Sequence, residues 1–232
     1  MDKERYARQL MLGEIGEDGQ RKLSEASVLI VGLGGLGAPA ATYLVGAGVG
    51  RIGLCDPDVV NLSNLQRQVL YTEDEVGRPK TDCAECRLSA ISGHTVFEVY
   101  PDGLTPGNAE GIVSRYDIVV DCCDNFRTRY LIDDTCAALG RPWIYGSIGA
   151  FHGQVALMNG RRGLRYSALY PDRAELEDRP PASGGVLGVV PGVIGAIEAG
   201  EALKLIVGFG ETLDGRLFTI NLKTLQTDII EF

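Results

Sequence analysis

A chain of 232 residues, 45% of them hydrophobic, is long enough for one α/β domain with a substantial core and too short for two full domains. The net charge of -9 at pH 7 and a pI near 4.8 argue against nonspecific binding to a nucleic-acid backbone and favour a protein or small-molecule substrate. The start, MDKERYARQ, lacks the apolar core of a signal peptide, so the expected location is the cytoplasm and the six cysteines are expected to be thiols.

Residues 5–12, RYARQLML, put Tyr6, Leu10 and Leu12 on one apolar face and Arg5 and Arg8 elsewhere, which predicts an N-terminal helix with a basic side. A second helical piece over 17–26 leads into Val28, Leu29, Ile30 and Val31, four apolar residues that run directly into Gly32-Leu33-Gly34-Gly35-Leu36-Gly37. That pattern is a buried strand, a tight turn and a helix start. The glycines allow positive φ and close approach of a phosphate, and the first N–H groups of the helix with its dipole favour an anion. By itself the motif is weak, because Rossmann proteins of many kinds and some purely structural turns carry it.

A small-residue helix follows and ends at 48–50, and the strand at 51–55 finishes in Asp56. Asp56 lies about 20 residues past the glycines, where a βαβ nucleotide fold places an acid on the ribose hydroxyls. The alternative is a carboxylate that caps the turn over 56–58. The next segment, Asn61 to Gln68 and then Gly77-Arg78-Pro79-Lys80, departs from a dinucleotide domain. Asn64, Arg67, Gln68 and Lys80 supply donors for a triphosphate and cations for charge building on a departing pyrophosphate. A solvated loop before a helix start at Pro79 is the plainer reading.

Residues 80–92 read as a helix, 95–100 as a strand, 108–115 as a short helix and 117–121 as a buried strand that runs into Cys122-Cys123-Asp124-Asn125. A carboxylate at the C-terminal edge of a parallel strand faces the ligand crevice, which makes Asp124 a candidate for Mg²⁺ or phosphate chemistry. Its structural alternative is a cap for the helix over 125–139. Strands follow at 142–149 and 151–159. Residues 164–185 have little periodicity and read as a mobile crossover loop. The apolar run 186–208 is interrupted by Pro191, Glu198, Glu201 and Lys204, so it reads as a loop and a helix over 193–207, not a membrane span. Strands at 216–221 and 225–230 close the chain.

In order and at compatible spacing, RYARQ, GLGGLG, Asp56, NLSNLQRQ, GRPK and DCCDN closely resemble the ThiF/MoeB/HesA family, bacterial relatives of ubiquitin-activating enzymes, over essentially the whole chain. The resemblance implies a single α/β domain over 1–232, a Rossmann-like nucleotide-binding fold with a mostly parallel sheet continued by antiparallel strands. Residues 1–26 would form the N-terminal helices, 27–140 the nucleotide-binding half, and 141–232 the carrier-binding half with its crossover loop. It also implies ATP-dependent adenylation of the C-terminal glycine carboxylate of a ubiquitin-like sulfur-carrier protein, ThiS-like or MoaD-like, for thiamine thiazole or molybdopterin synthesis, with a sulfur donor acting later. By that analogy Gly32, Gly34, Gly35 and Gly37 line the nucleotide and Asp56 holds the ribose. Asn64, Arg67 and Lys80 contact phosphates, Asp124 holds Mg²⁺, Ser63 and Asn125 border the site, and Arg8 reaches into the partner subunit of a homodimer.

Family members of this type carry zinc on two CxxC pairs; the corresponding stretch here is Leu164-Arg165-Tyr166-Ser167, so no structural zinc is expected. Cys83 and Cys86 form a CxxC within a helix pattern and read as ordinary helix residues. Loop residues 178–185 contain no cysteine for a covalent link to a carrier, and Cys122 and Cys123 read as packing thiols. His94 and His152 read as loop and turn residues. Three other readings compete. A tRNA threonylcarbamoyladenosine dehydratase also adenylates a carboxylate, an NAD-dependent oxidoreductase would use the glycines and Asp56, and a non-catalytic scaffold would only bind a ubiquitin-like partner.

Overall fold

The computed structural model describes residues 2–179 and 184–232. In chain order the helices and strands are α1 (Ala7–Leu10), α2 (Gly16–Glu25), β1 (Ser27–Val31), α3 (Gly37–Ala47), β2 (Arg51–Cys55), α4 (Lys80–Ile91), β3 (Val96–Tyr100), α5 (Ala109–Val113), β4 (Ile118–Asp121), α6 (Phe126–Leu139), β5 (Trp143–Gly149), β6 (His152–Met158), α7 (Tyr166–Leu169), α8 (Arg173–Glu177), α9 (Val189–Val207), β7 (Arg216–Asn221) and β8 (Gln226–Glu231). The strands form one sheet in the order β3-β2-β1-β4-β5-β6-β7-β8. From β3 to β5 every pairing is parallel, and from β5 to β8 every pairing is antiparallel. This is the Rossmann-like α/β arrangement that the sequence implies.

The parallel half explains why β1 is apolar at every position. Helices cover both faces, so Val28 and Ile30 enter one core with α3 and α9 while Leu29 and Val31 enter the other with α5, α6, Trp143 and Tyr145. β1 pairs with β2 on one side and β4 on the other, and the chain reverses direction of winding between them. Such a switch point leaves a crevice beyond the C-terminal strand ends, which locates the site before any side chain is considered.

Three elements differ from the sequence expectation. The helix expected over 5–12 is a single turn. Tyr6 is buried against Gly48, but Met11 and Leu12 are exposed and the chain turns at Gly16 with φ 51, so no second turn finds an apolar surface. The last helix begins at Val189, upstream of the expected Val193, because Pro191 falls in its first turn, where the missing N–H costs no helical bond. Within the expected crossover loop, α7 and α8 form because distant acids hold them. The fully buried Asp133 on α6 accepts from Arg165 Nε at 3.0 Å and the Tyr166 N–H at 3.1 Å, and Asp134 takes Arg173 at 2.5 Å. These partners are roughly 30 to 40 residues away in the chain, beyond the reach of local periodicity. The part of that loop around Pro180 and Pro181 lies outside the described residues.

Helix α9 packs closely on α3 because both are built of small residues at the contact. A Cβ added at Gly195 would collide with the Leu36 carbonyl oxygen and the Pro39 ring. Backbone cannot yield as a flexible side chain does. Gly195→Ala is therefore expected to destabilise the protein by about 1–3 kcal/mol, the range for an overpacked core. The check is a urea midpoint that falls while the m-value stays constant.

Candidate active site at the sheet switch point

A cavity of about 990 Å³ opens at the C-terminal ends of β1, β2 and β4. Its floor is the glycine turn. Gly32 takes φ 94, and a Cβ there would meet the Cys122 carbonyl at 2.6 Å, while one at Gly37 would collide with the Gly32 carbonyl. Only glycine fits either position. Leu33 fastens the turn through both of its backbone groups: its N–H donates to Asp56 Oδ2 at 2.6 Å and its carbonyl accepts from the Tyr71 hydroxyl at 2.7 Å. Among the described residues the N–H groups of Gly34 and Gly35 have no acceptor. Unpaired N–H groups at a helix start are what a phosphate binds.

Asp56 caps the turn, its Oδ1 accepting the Asp58 N–H at 2.8 Å, and also faces the cavity. Burial pushes its carboxyl above the ordinary carboxylate range, against the opposing pull of Lys80 and the two backbone N–H groups. Lys80 opens α4 with its ammonium buried, 2.9 Å from Asp58 Oδ2 and 3.9 Å from Asp56 Oδ2. Arg67 lines the same wall and donates to the Ser63 carbonyl at 3.0 Å.

Gln68 also lines the cavity. It is buried, and its Oε1 has no hydrogen-bond partner among the described residues. An orphaned buried acceptor costs about 1–3 kcal/mol unless a ligand or water satisfies it.

Across the crevice, the structure separates the capping and functional readings of the Asp124-Asn125 pair. Asn125 caps α6, its Oδ1 accepting the Thr128 N–H at 2.9 Å. Asp124 is exposed, lines the cavity and has no hydrogen-bond partner among the described residues. A single open carboxylate facing a phosphate site has the chemistry that holds Mg²⁺, which keeps most of its waters and takes one or two protein oxygens. Beneath it, Asp121 is fully buried and pairs with Arg129 Nε at 3.2 Å, while Arg129 Nη2 donates to the Cys123 carbonyl at 2.7 Å. Burial pushes the Cys122 and Cys123 thiols well above their ordinary range, so both pack as neutral thiols.

Gly32, Gly34, Gly35, Asp56, Arg67, Lys80, Asp124 and Asn125 thus converge on one cavity. Gly37 stands just behind the floor. Ser63 and Asn64 form a short 3-10 turn and do not reach the cavity wall; the Asn64 side chain accepts the Asn61 N–H, which shapes the turn that presents Arg67. Arg8 is exposed on α1 and takes no part in its own chain's cavity. Sequence reading missed Arg129 and Arg179 on the wall. Arg129 lies one turn into α6 on its buried face, a signal that needs the cap at Asn125 to be known first; nothing local marks Arg179.

The site and sheet together define a nucleotide-binding α/β enzyme domain with cations gathered opposite an open carboxylate. The chain belongs to the ThiF family, whose model matches residues 6–232. It is 45% identical over 227 residues to the sulfur carrier protein adenylyltransferase of Thermus thermophilus, covering 92% of this chain and 81% of that protein. It is 44% identical to the adenylyltransferase and sulfurtransferase MOCS3 of Xenopus laevis, where the match covers 92% of this chain and 48% of the relative, so the chain spans about half of such a protein. The fold is also that of the E. coli MccB structure with ATP, with a TM-score of 0.82 and 23% identity over 98% of this chain and 71% of that one.

Under the cavity floor, Glu198 of α9 is fully buried between Gly146 and Cys122, whose Sγ is 3.8 Å away. Burial first, and then the nearby Asp121 charge, push its carboxyl well above the ordinary 4.5; Arg129 pulls the other way. The folded protein thus keeps a proton that the unfolded chain releases above about pH 4.5. Stability from this group is complete below that pH and declines as pH rises toward the elevated folded value. Glu198→Gln removes the linkage. It is expected to match the wild type near pH 4 and to exceed it at pH 8, read as urea midpoints across pH; a gap that shrinks with rising pH would refute the assignment.

Proposed function

We propose that the protein adenylates the C-terminal glycine carboxylate of a small ubiquitin-like sulfur-carrier protein, ThiS-like or MoaD-like, at the expense of ATP. The observation that carries this reading is the open Asp124 carboxylate in one cavity with Arg67, Lys80 and the unpaired N–H groups of the glycine turn. The names of the relatives at 45% and 44% identity agree with it.

In this reaction a carboxylate oxygen of the carrier attacks the α-phosphorus of ATP. The P–O bond to the β-phosphate breaks, and pyrophosphate leaves with that electron pair. No proton has to move, because a glycine carboxylate is ionised at neutral pH. The protein's task is therefore orientation and charge stabilisation. The glycine-turn N–H groups hold phosphate oxygens, Asp56 takes the ribose hydroxyls, and Arg67 and Lys80 take charge that grows on the leaving pyrophosphate. Asp124 holds Mg²⁺, which when bound neutralises phosphate charge. Asn125 borders the nucleotide, and Ser63 and Asn64 shape the turn that presents Arg67.

A second cavity of about 470 Å³ on the β5–β8 face shares Ser147 and Ile148 with the nucleotide cavity. Its wall is mostly polar and uncharged, including Gln154, Thr219, Asn221 and Gln226, which suits an extended glycine-rich tail whose peptide groups need partners. The working unit in this reading is a cytoplasmic homodimer in which the exposed Arg8 acts in the partner's site, and the acyl-adenylate passes to a sulfur donor for thiamine thiazole or molybdopterin synthesis.

ATP–pyrophosphate exchange tests the reading. Exchange is expected with a ThiS-like or a MoaD-like carrier ending in Gly-Gly, and none with the carrier omitted; no exchange with either carrier refutes the function. Asp124→Ala is expected to reduce exchange by on the order of 100-fold or more, the cost of losing a charge-stabilising group in a transition state, with an unchanged urea midpoint. Arg8→Ala is expected to be inactive alone and to regain partial activity when mixed with Asp124→Ala, since one site of the mixed dimer then holds both groups. Verified mixed dimers without activity would exclude action in trans.

A further inference from the structure

We propose that Arg179 is a substrate-binding residue that receives the free carboxylate of the incoming tail where it enters the nucleotide cavity. The inference rests on the carrier-adenylation reading above and assigns that carboxylate its partner.

The cations on the cavity wall differ in how much charge they have left to offer. Lys80 is held by Asp58 and Asp56, and Arg129 by Asp121. Arg67 and Arg179 have no carboxylate partner among the described residues. The neighbour of Arg179, Asp178, lies 3.8 Å from Arg127 instead. Arg67 projects from the segment between β2 and α4, on the side that carries Lys80, and in the proposed reaction its charge is taken by the phosphates. Arg179 comes from a different part of the chain, just after α8 in the segment that follows β6.

Arg179 lines the nucleotide cavity together with the Ser147 and Ile148 that also line the second cavity. Residues 184–186 line the nucleotide cavity with it, and Val186 then pairs with Ala150, while the Leu187 N–H donates to the Ala150 carbonyl at 3.0 Å. Ala150 is the turn between β5 and β6, close in sequence to the Ser147 and Ile148 that both cavities share. In the proposed reading, a tail lying in the second cavity reaches the nucleotide cavity past these shared residues.

That carboxylate approaches a site already crowded with negative charge. ATP is anionic, and Asp124 faces the same space with no cation partner among the described residues. Like charges a few ångströms apart repel strongly at the effective dielectric of a protein surface. A guanidinium on the entry side offsets this and fixes the carboxylate in a two-pronged geometry. The preceding helix α8 is held by Arg173, which pairs with Glu177 at 2.8 Å and Asp134 at 2.5 Å.

The test uses the full chain in ATP–pyrophosphate exchange with the carrier that the wild type accepts. Arg179→Ala is expected to raise the carrier KM about tenfold or more, the loss expected for a charge-assisted bidentate contact. KM for ATP and calorimetric affinity for the non-hydrolysable analogue AMPCPP should stay within about twofold, and Arg179→Lys should recover part of the carrier KM. Carrier with an amidated C-terminus, which lacks the charge, should bind wild type and Arg179→Ala equally. An unchanged carrier KM overturns the inference, as does an equal loss with amidated carrier or a loss that falls on ATP instead. Wild type without exchange on any carrier refutes the functional reading itself, so the two failures are distinguishable.

Discussion

The hydrogen bond from the Leu33 N–H to the Asp56 carboxylate joins the ends of two adjacent parallel strands at the floor of the site. The rest of the cavity depends on it. It fixes the glycine turn in the conformation that leaves the Gly34 and Gly35 N–H groups without an acceptor among the described residues, and it holds Asp56 on the cavity side of β2. Tyr71 completes the clamp through the Leu33 carbonyl, and Cys122 closes it from β4 by leaving no room for a Cβ at Gly32. A buried carboxylate is costly to desolvate, and this one is kept by its backbone donors and by Lys80.

Charge is distributed over the site by the same economy. Lys80 and Arg129 are deeply buried and each has an acid, because an unpaired buried cation would be destabilising by several kcal/mol. The groups left open, Asp124, Arg67 and Arg179, are the ones exposed enough to be solvated when no ligand is present. Such a division suits a reaction that needs no general base. The paired charges hold geometry, and the open ones are available to anions and to a metal.

Beneath this surface, small residues and an uncharged acid let the layers approach. Gly195 brings α9 onto α3, and Gly146 makes space for the Glu198 carboxyl between α9 and the sheet. Glu198 and Cys122 lie together under the cavity floor, where burial favours the protonated form of each, and Asp121 beside them is paired with Arg129. In the C-terminal half, Asp133 and Asp134 tie α7 and α8 to α6, where the segment Leu164-Arg165-Tyr166-Ser167 has an ion pair and backbone N–H bonds to hold it.

The resemblance that the motifs carry together implied the family and the sheet's parallel-to-antiparallel change; the amino-acid order by itself determined the glycine turn, the placement of Asp56, Arg67 and Lys80, and the strands. Each of these depends on local spacing: apolar runs, glycines that no other residue can replace, and an acid at the distance of one βαβ unit. Tertiary structure alone decided that Asn125 caps α6 and frees Asp124, because either side chain satisfies the capping rule in sequence. It also decided that Asn64 shapes its own turn, that a crossover without periodicity contains helices, and that Arg129 and Arg179 reach the wall. These outcomes rest on contacts between residues far apart in the chain, and the energy that selects them exists only once the sheet has brought its strand ends together.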